Sequence, residues 1–327
     1  VLHLITGPIA GPMLRDAVGT KYQVLVLADN CRRPVGLAHV HFARLVQSLD
    51  PDVVLVAYAH GLPVGALFHP GAPPVVSWPG DNGLTKQMWS DRVAIPVGKN
   101  FRKAEVVALL DLLGPLGITT RIARPKFTPG AAALARAAEV FERAGLSVGQ
   151  AIAIHLEQDG RAKFWPTARF VELIDWLHTE GIPLVLVGGR SSRPIASEIA
   201  RERPGIHVLH GLLESNELGA VLQKSGAFIG CDSGPAHLAQ AVGTPTVVLF
   251  GMTEPHRWGP LPGLPSEGAE IPARTLLAAA PGDWLNGEMR GLSPNAAMEL
   301  LTTDRVRHAC QDLVNVLKIR QDRAERH

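Results

Sequence analysis

Residues 228–260 read FIGCDSGPAHLAQAVGTPTVVLFGMTEPHRWGP. The run 227–230 (AFIG) is short and apolar, which suits a strand covered on both faces, and it ends at Asp232. Ser233-Gly234-Pro235 then opens a predicted helix over 235–242: serine can cap, proline fits the first turn, and glycine lets another group approach the backbone. A second apolar run, 245–251 (PTVVLFG), reads as the next buried strand. Asp232 thus stands at the carboxyl end of a strand, where ligands of parallel α/β sheets bind. The helix start beyond it offers free N–H groups and a positive dipole end, well matched to a diphosphate. The same three residues also cap helices that bind nothing, and His237, one turn inside, equally suits a packing role.

The rhythm extends outward from this stretch. Runs 151–156 (AIAIHL) and 183–187 (PLVLV) read as strands and 206–209 as a weaker one, with helices predicted over 167–179, 194–203 and 215–224. Strict alternation predicts right-handed crossovers and a doubly wound parallel sheet. The first half repeats the grammar less cleanly. Strands are expected at 1–6, 22–28 (YQVLVLA) and 53–57 (VVLVA) and helices at 38–49 and 104–113, while 61–91 is rich in proline, glycine and tryptophan and reads as loops with short strands. Thr128 is the expected N-cap of a helix that reaches Ala144 and stops at Gly145, so the domain boundary is expected just beyond, dividing 1–148 from 149–327. A last helix over 303–319 puts Val306, Cys310, Leu313 and Leu317 on one face, which predicts that it packs.

Composition agrees with two globular domains. The chain has 327 residues, 46% of them hydrophobic, and its 33 glycines and 26 prolines fall short of a low-complexity composition. Three cysteines, Cys31, Cys231 and Cys310, without CxxC spacing argue against a disulfide framework and a cysteine zinc site, and fit a reducing cytosol. No apolar run is long enough to span a bilayer, and no signal-peptide layout is visible. The net charge of +2 divides into +5 over residues 1–150 and −3 over the remainder. A basic half suggests an anionic ligand there, although scattered surface lysine and arginine would give the same sum. With 5% aromatic residues and no dense Lys/Arg run, nucleic acid is not an expected partner.

Asp232-Ser233-Gly234-Pro235-Ala236-His237-Leu238-Ala239, then Phe250 to Pro255 and Gly259-Pro260, together with Lys163-Phe164-Trp165-Pro166, closely resemble the signature of the ADP-heptose:lipopolysaccharide heptosyltransferases, glycosyltransferase family 9. The resemblance is strong from about 150 to 260 and weaker outside it. It implies an α/β chain of GT-B fold, two Rossmann-like doubly wound domains facing a central cleft. The C-terminal domain would hold a nucleotide-sugar donor and the N-terminal one the acceptor. It further implies that Lys163 neutralises the donor diphosphate, Asp232 accepts hydrogen bonds from sugar hydroxyls, and Ser233 and Gly234 give the helix N-terminus to phosphate with His237 beneath it. Gly251, Met252 and Thr253 would form the loop beside phosphate or sugar. Glu157 and Gln158 occupy the region where relatives use hydroxyl side chains on the diphosphate, in a loop of different length and type. Lysine and a helix dipole need no metal, and no cofactor is implied beyond the ADP-heptose donor.

One departure concerns the base. Relatives carry a Gly-Asp pair after their first strand, whereas the matching loop, Gly7 to Leu14, holds Pro12 at the aspartate position. A base must lie within reach of the acceptor nucleophile. Asp16 is the nearest substitute, and His39, His41 and His60 lie in the same half. Residues 276–294 also lack the cysteine cluster of some relatives. The expectation is an inverting, metal-independent transfer of a heptose from ADP to lipopolysaccharide core or to a small natural-product acceptor, an anionic one being what the basic half suggests, in the cytoplasm and with peripheral contact with the inner membrane left open. The competing expectations are a nucleotide-sugar-binding protein that has lost catalysis and a GT-B epimerase.

Overall fold

A computed structural model of the chain describes residues 3–6, 23–26, 37–56, 71–78, 95–119, 125–157, 164–251, 253–259, 274–277 and 298–324. They fall into two compact units, one ending by residue 119 and the other running from residue 125.

The first unit contains the parallel pair β1 (His3–Thr6) and β2 (Gln23–Val26), helix α1 (Leu37–Leu49), and a parallel sheet of β3 (Val54–Val56), β4 (Val75–Ser77) and β5 (Ile95–Pro96), followed by α2 (Glu105–Asp111). Val76, Trp78, Ala108 and Leu112 make a small core between that sheet and α2. Lys99 Nζ lies 2.7 Å from the buried carboxylate of Glu105 and 3.8 Å from the centre of the Trp78 ring, so its charge is matched on both sides.

The second unit is one six-stranded parallel sheet in the order β11-β10-β9-β6-β7-β8. Its strands are β6 (Ile152–His155), β7 (Leu184–Val187), β8 (Ile206–Val208), β9 (Ala227–Cys231), β10 (Thr246–Phe250) and β11 (Arg274–Leu277). Around them lie α3 (Ala131–Arg143), α4 (Thr167–Thr179), α5 (Arg193–Arg201), α6 (Ser215–Lys224), α7 (Gly234–Ala241), the short α8 (Pro255–Trp258) and α9 (Thr303–Ala324). Successive strand residues point to opposite faces, and the two faces are covered by different helices. Ile152, Ile154, Ile229, Cys231, Val247 and Leu249 join one cluster with residues of α4, α5 and α9. Ala153, Val185, Phe228, Val248 and Phe250 join another with residues of α3, α6 and α7. Both faces being covered, β6, β7, β9 and β10 are buried at every position, which is why they read in the sequence as unbroken apolar runs. The predicted face of α9, Val306, Cys310, Leu313 and Leu317, is buried in the first of these clusters.

One detail differs from the sequence reading. Helix α3 begins at Ala131 with Gly130 as its N-cap, not with Thr128. Phe127 donates its N–H to Ala241 O at 2.9 Å and is buried against α6, where a Cβ on Gly219 would lie 2.6 Å from its ring; this holds the segment extended as far as Gly130. Ala133, Ala137 and Phe141 then enter the core of the second unit, so α3 packs with the residues after 149. Gly145, at φ 63°, follows the last turn as its left-handed stop.

Candidate functional site

The order of the six strands reverses between β6 and β9, the first and fourth strands of the unit. At such a switch point the connections leave in opposite directions, and a crevice opens beyond the carboxyl ends of the two strands. β6 delivers His155 and, two residues on, Glu157 to this crevice; β9 delivers Asp232 and Ser233.

These side chains are joined. His155 Nδ1 lies 3.2 Å from Ser233 Oγ, and its Nε2 lies 3.4 Å from Glu157 Oε1. Glu157 Oε1 also accepts the N–H of Gly189 at 3.0 Å, and Oε2 accepts the hydroxyl of Ser192 at 2.8 Å. The histidine beside it and these donors outweigh burial and hold the Glu157 carboxyl well below its ordinary range, at about 2, so it is an anion. Ser233 Oγ donates to Cys231 O at 2.9 Å. Ser233 is the N-cap of α7 with extended φ and ψ, yet its hydroxyl does not cap the helix, contrary to the sequence reading. The N–H groups of Gly234 and Ala236 lie in the first turn of α7, where no intrahelical partner exists, and face out from the helix start. Asp232 is buried at the mouth, and His237, half exposed one turn on, sets Nε2 3.4 Å from Asp232 Oδ1.

The backbone around this chain is held tightly. His210 is fully buried, with Nε2 2.8 Å from Leu156 O and Nδ1 3.2 Å from Leu186 O, bracing the ends of β6 and β7; burial lowers its pKa. A Cβ on Gly188 would meet both that ring and Leu156 O at 2.5 Å. A Cβ on Gly251 would strike Met298 Sδ at 2.2 Å, so this glycine has a packing reason of its own. At Gly234 a Cβ would meet none of the described residues within 4 Å. A cavity of about 320 Å³ opens beside the chain, lined by His155, Glu157, Phe164 and Pro235 together with the apolar Val187, Leu209, Leu213 and Leu218.

Phe164 and Trp165 of the Lys-x-Trp-Pro motif are anchored by their contacts. Trp165 is fully buried, its Nε1 donating to Leu301 O at 2.7 Å and its ring meeting Phe170 edge to face. Phe164 stands edge-on to His155 with ring centres 5.9 Å apart. Of the residues singled out in the sequence, Glu157, Asp232, Ser233, Gly234, His237, Gly251 and Thr253 are described, whereas Pro12, Asp16, His60, Gln158, Lys163 and Met252 lie outside the described residues, as do the side chains of His39 and His41. His155, Ser192 and His210 escaped the sequence reading. The available signal was a histidine ending an otherwise apolar buried strand. Among the described residues no group of three His, Cys, Asp or Glu side chains could hold a metal ion, and no helix is long and apolar enough to cross a membrane.

Residues 48–264, two thirds of the chain, match glycosyltransferase family 9 (heptosyltransferase). The chain belongs to that family. Lipopolysaccharide heptosyltransferase 3 of Escherichia coli is 35% identical over 157 residues, 46% of this chain and 45% of that protein. The matched stretches span less than half the length of the curated relatives. The glycosyl transferase of family 9 from Veillonella parvula superposes with a TM-score of 0.70 at 14% identity, over 95% of this chain and 97% of that one. The E. coli heptosyltransferase WaaC, solved with ADP-2-deoxy-2-fluoro heptose, gives 0.63 at 13% identity over 95% and 99%. The fold of this family 9 chain is therefore that of the heptosyltransferases, the GT-B fold, with parallel sheets in both units.

Proposed function

We propose that the protein is an inverting glycosyltransferase that takes a heptose from an ADP-linked donor and passes it to an acceptor bound by the N-terminal domain. The observation that carries this reading is the open start of α7 at the sheet's switch point, where Gly234 lacks a side chain although no described residue fills its place. A diphosphate fits there: the N–H groups of the first turn and the helix dipole stabilise its charge as it departs, and Lys163, next to the cavity-lining Phe164, adds a cation. The apolar Leu209, Leu213 and Leu218 suit a nucleobase. Asp232 accepts hydrogen bonds from sugar hydroxyls, and Gly251, Met252 and Thr253 close the phosphate side. Charge neutralisation by lysine and helix makes the transfer independent of metal.

The acceptor is anionic, to match the basic half, and is lipopolysaccharide core or a small natural product made in the cytoplasm or at the inner membrane surface. Asp16 is the base, replacing the aspartate that Pro12 displaces. The test is a thermal-shift screen of nucleoside diphosphates, followed by mass spectrometry with ADP-heptose and an acceptor panel. ADP at 100 times its Kd should stabilise the fold by about 2.7 kcal/mol. No shift with any nucleotide would overturn the reading, and full activity of Asp16→Asn would remove the base. Pro12 also supports a second reading, a nucleotide-sugar-binding protein without transfer, for which ADP would bind and no acceptor would gain mass.

A further inference from the structure

We propose that the Glu157 carboxylate, with the bare backbone of Gly189 beside it, is a ribose subsite: it accepts a hydrogen bond from a ribose hydroxyl of the donor nucleotide and bars phosphate from that part of the cavity. The inference rests on the donor-site reading above and gives Glu157 a partner other than the diphosphate.

Glu157 and Gly189 both line the 320 Å³ cavity. The carboxylate is fixed by the segment that follows β7: the Gly189 N–H reaches Oε1 at 3.0 Å and the Ser192 hydroxyl reaches Oε2 at 2.8 Å. Two carboxylate oxygens offer about four lone-pair sites. With the His155 ring 3.4 Å from Oε1 counted as a third neighbour, Oε2 still has a site that no described residue takes. Whatever fills it must donate a hydrogen. Gly189 leaves the way open. Its φ of −72° and ψ of 167° suit any residue, and a Cβ there would make only ordinary contacts, 3.4 Å from Glu157 Oε1, 3.9 Å from Oε2 and 3.7 Å from Ser191 Oγ. Gly188 is glycine because His210 and Leu156 O crowd it; at Gly189 neither crowding nor backbone demands one. A side chain at 189 would instead stand against both carboxylate oxygens in a cavity that both residues line.

The chemistry of the cavity selects the ribose. Phosphate oxygens accept hydrogen bonds and carry negative charge, so a buried carboxylate repels them and offers them nothing. Glu157 therefore faces an uncharged part of the nucleotide. Val187, Leu209, Leu213 and Leu218 line the same cavity and suit the base, and Pro235, also in its lining, marks the start of α7, where the diphosphate belongs. Between base and diphosphate a nucleotide has its ribose, whose 2′- and 3′-hydroxyls both donate. An ionised acceptor holds such a donor about twice as strongly as a neutral oxygen does. The carboxylate is already oriented by Gly189 and Ser192, so no side chain needs to be ordered when the nucleotide enters.

The test is calorimetric titration of the whole chain with ADP, 2′-deoxy-ADP, 3′-deoxy-ADP and IDP. The unaltered protein should bind ADP at least about tenfold more tightly than the weaker of the two deoxy analogues, the scale of a hydrogen bond to a charged group. Glu157→Ala should bind ADP and both deoxy analogues equally, within about twofold, because the hydroxyl and the carboxylate are the two halves of one interaction. A merely structural role would weaken all the nucleotides together and leave the preference intact. Should Glu157→Ala fail to fold, Gly189→Ala serves: its methyl, against the carboxylate, should cut the preference at least about threefold. An undiminished preference in a folded variant, or none in the unaltered protein, overturns the proposal. So does a preference of ADP over IDP that vanishes in Glu157→Ala while the deoxy preference stays, which would put the base amine against the carboxylate. Absence of ADP binding in the unaltered protein would instead overturn the donor-site reading.

Discussion

The backbone N–H of Trp165 donates to Cys231 Sγ at 3.3 Å, tying the Lys-x-Trp-Pro segment to the strand that ends in Asp232 and Ser233. Burial pushes the Cys231 thiol up to about 12, so it serves here as an acceptor and not as a nucleophile. Trp165→Ala should destabilise the protein by about 3–5 kcal/mol through the cavity it leaves, while the Leu301 carbonyl keeps its second donor, Arg169. Trp165→Phe, which keeps most of the volume, should cost less. Urea unfolding midpoints of the two variants check this order.

Two glycines separate packing from ligand approach. Gly188→Ala places a methyl 2.5 Å from His210 and Leu156 O and should cost about 1–3 kcal/mol. Gly234→Ala meets none of the described residues and should leave the melting temperature of the free protein within about a degree, while ADP affinity falls at least roughly fivefold, about 1 kcal/mol. Unchanged ADP affinity in folded Gly234→Ala would remove the ligand from that end of α7.

Glu157 predicts a pH dependence of stability. Its pKa in the folded protein, about 2, lies below the ordinary 4.5, so the carboxylate stabilises the fold in full above pH 4.5. That contribution is lost as pH falls toward 2. The stability gap between the natural protein and Glu157→Gln, measured by urea unfolding, should be constant from pH 7 to 5 and shrink from pH 4.5 to 3. A gap that persists unchanged at pH 3 would show that the carboxylate's charge contributes nothing.

Turnover tests the donor roles. Lys163→Ala and Asp232→Ala should each lower the transfer rate at least about tenfold, or 1.4 kcal/mol in barrier. Excess EDTA should leave it unchanged. Folded variants of both residues with normal turnover would sink the assignment of this site.

Much of the second unit was legible because its strands are buried on both faces. Helices α4 and α6 occupy the spans that periodicity predicts, strands β6, β7 and β10 lie within the predicted apolar runs, and β9 reaches one residue beyond its run, to Cys231. Strand β11, four residues reading RTLL, gave no such signal, since an edge strand need not be apolar throughout. The start of α3 was misread for a nonlocal reason. Thr128-Pro129-Gly130 has the composition of a cap, but Phe127 is pulled onto α6 and α7 and keeps the chain extended to Gly130.

The site divides in the same way. Asp232-Ser233-Gly234 could be located from the sequence alone, because strand end, cap and helix start are neighbours along the chain and their chemistry is local. For Glu157 the partners were not legible: in the fold its carboxylate meets Gly189, Ser192 and His155, all far along the chain or on a neighbouring strand position. The pairing of His155 with Ser233 joins residues 78 positions apart. No spacing rule connects them. They meet because β6 and β9 are neighbours at the switch point, and strand order, unlike strand identity, is decided by how the whole sheet packs between its two layers of helices.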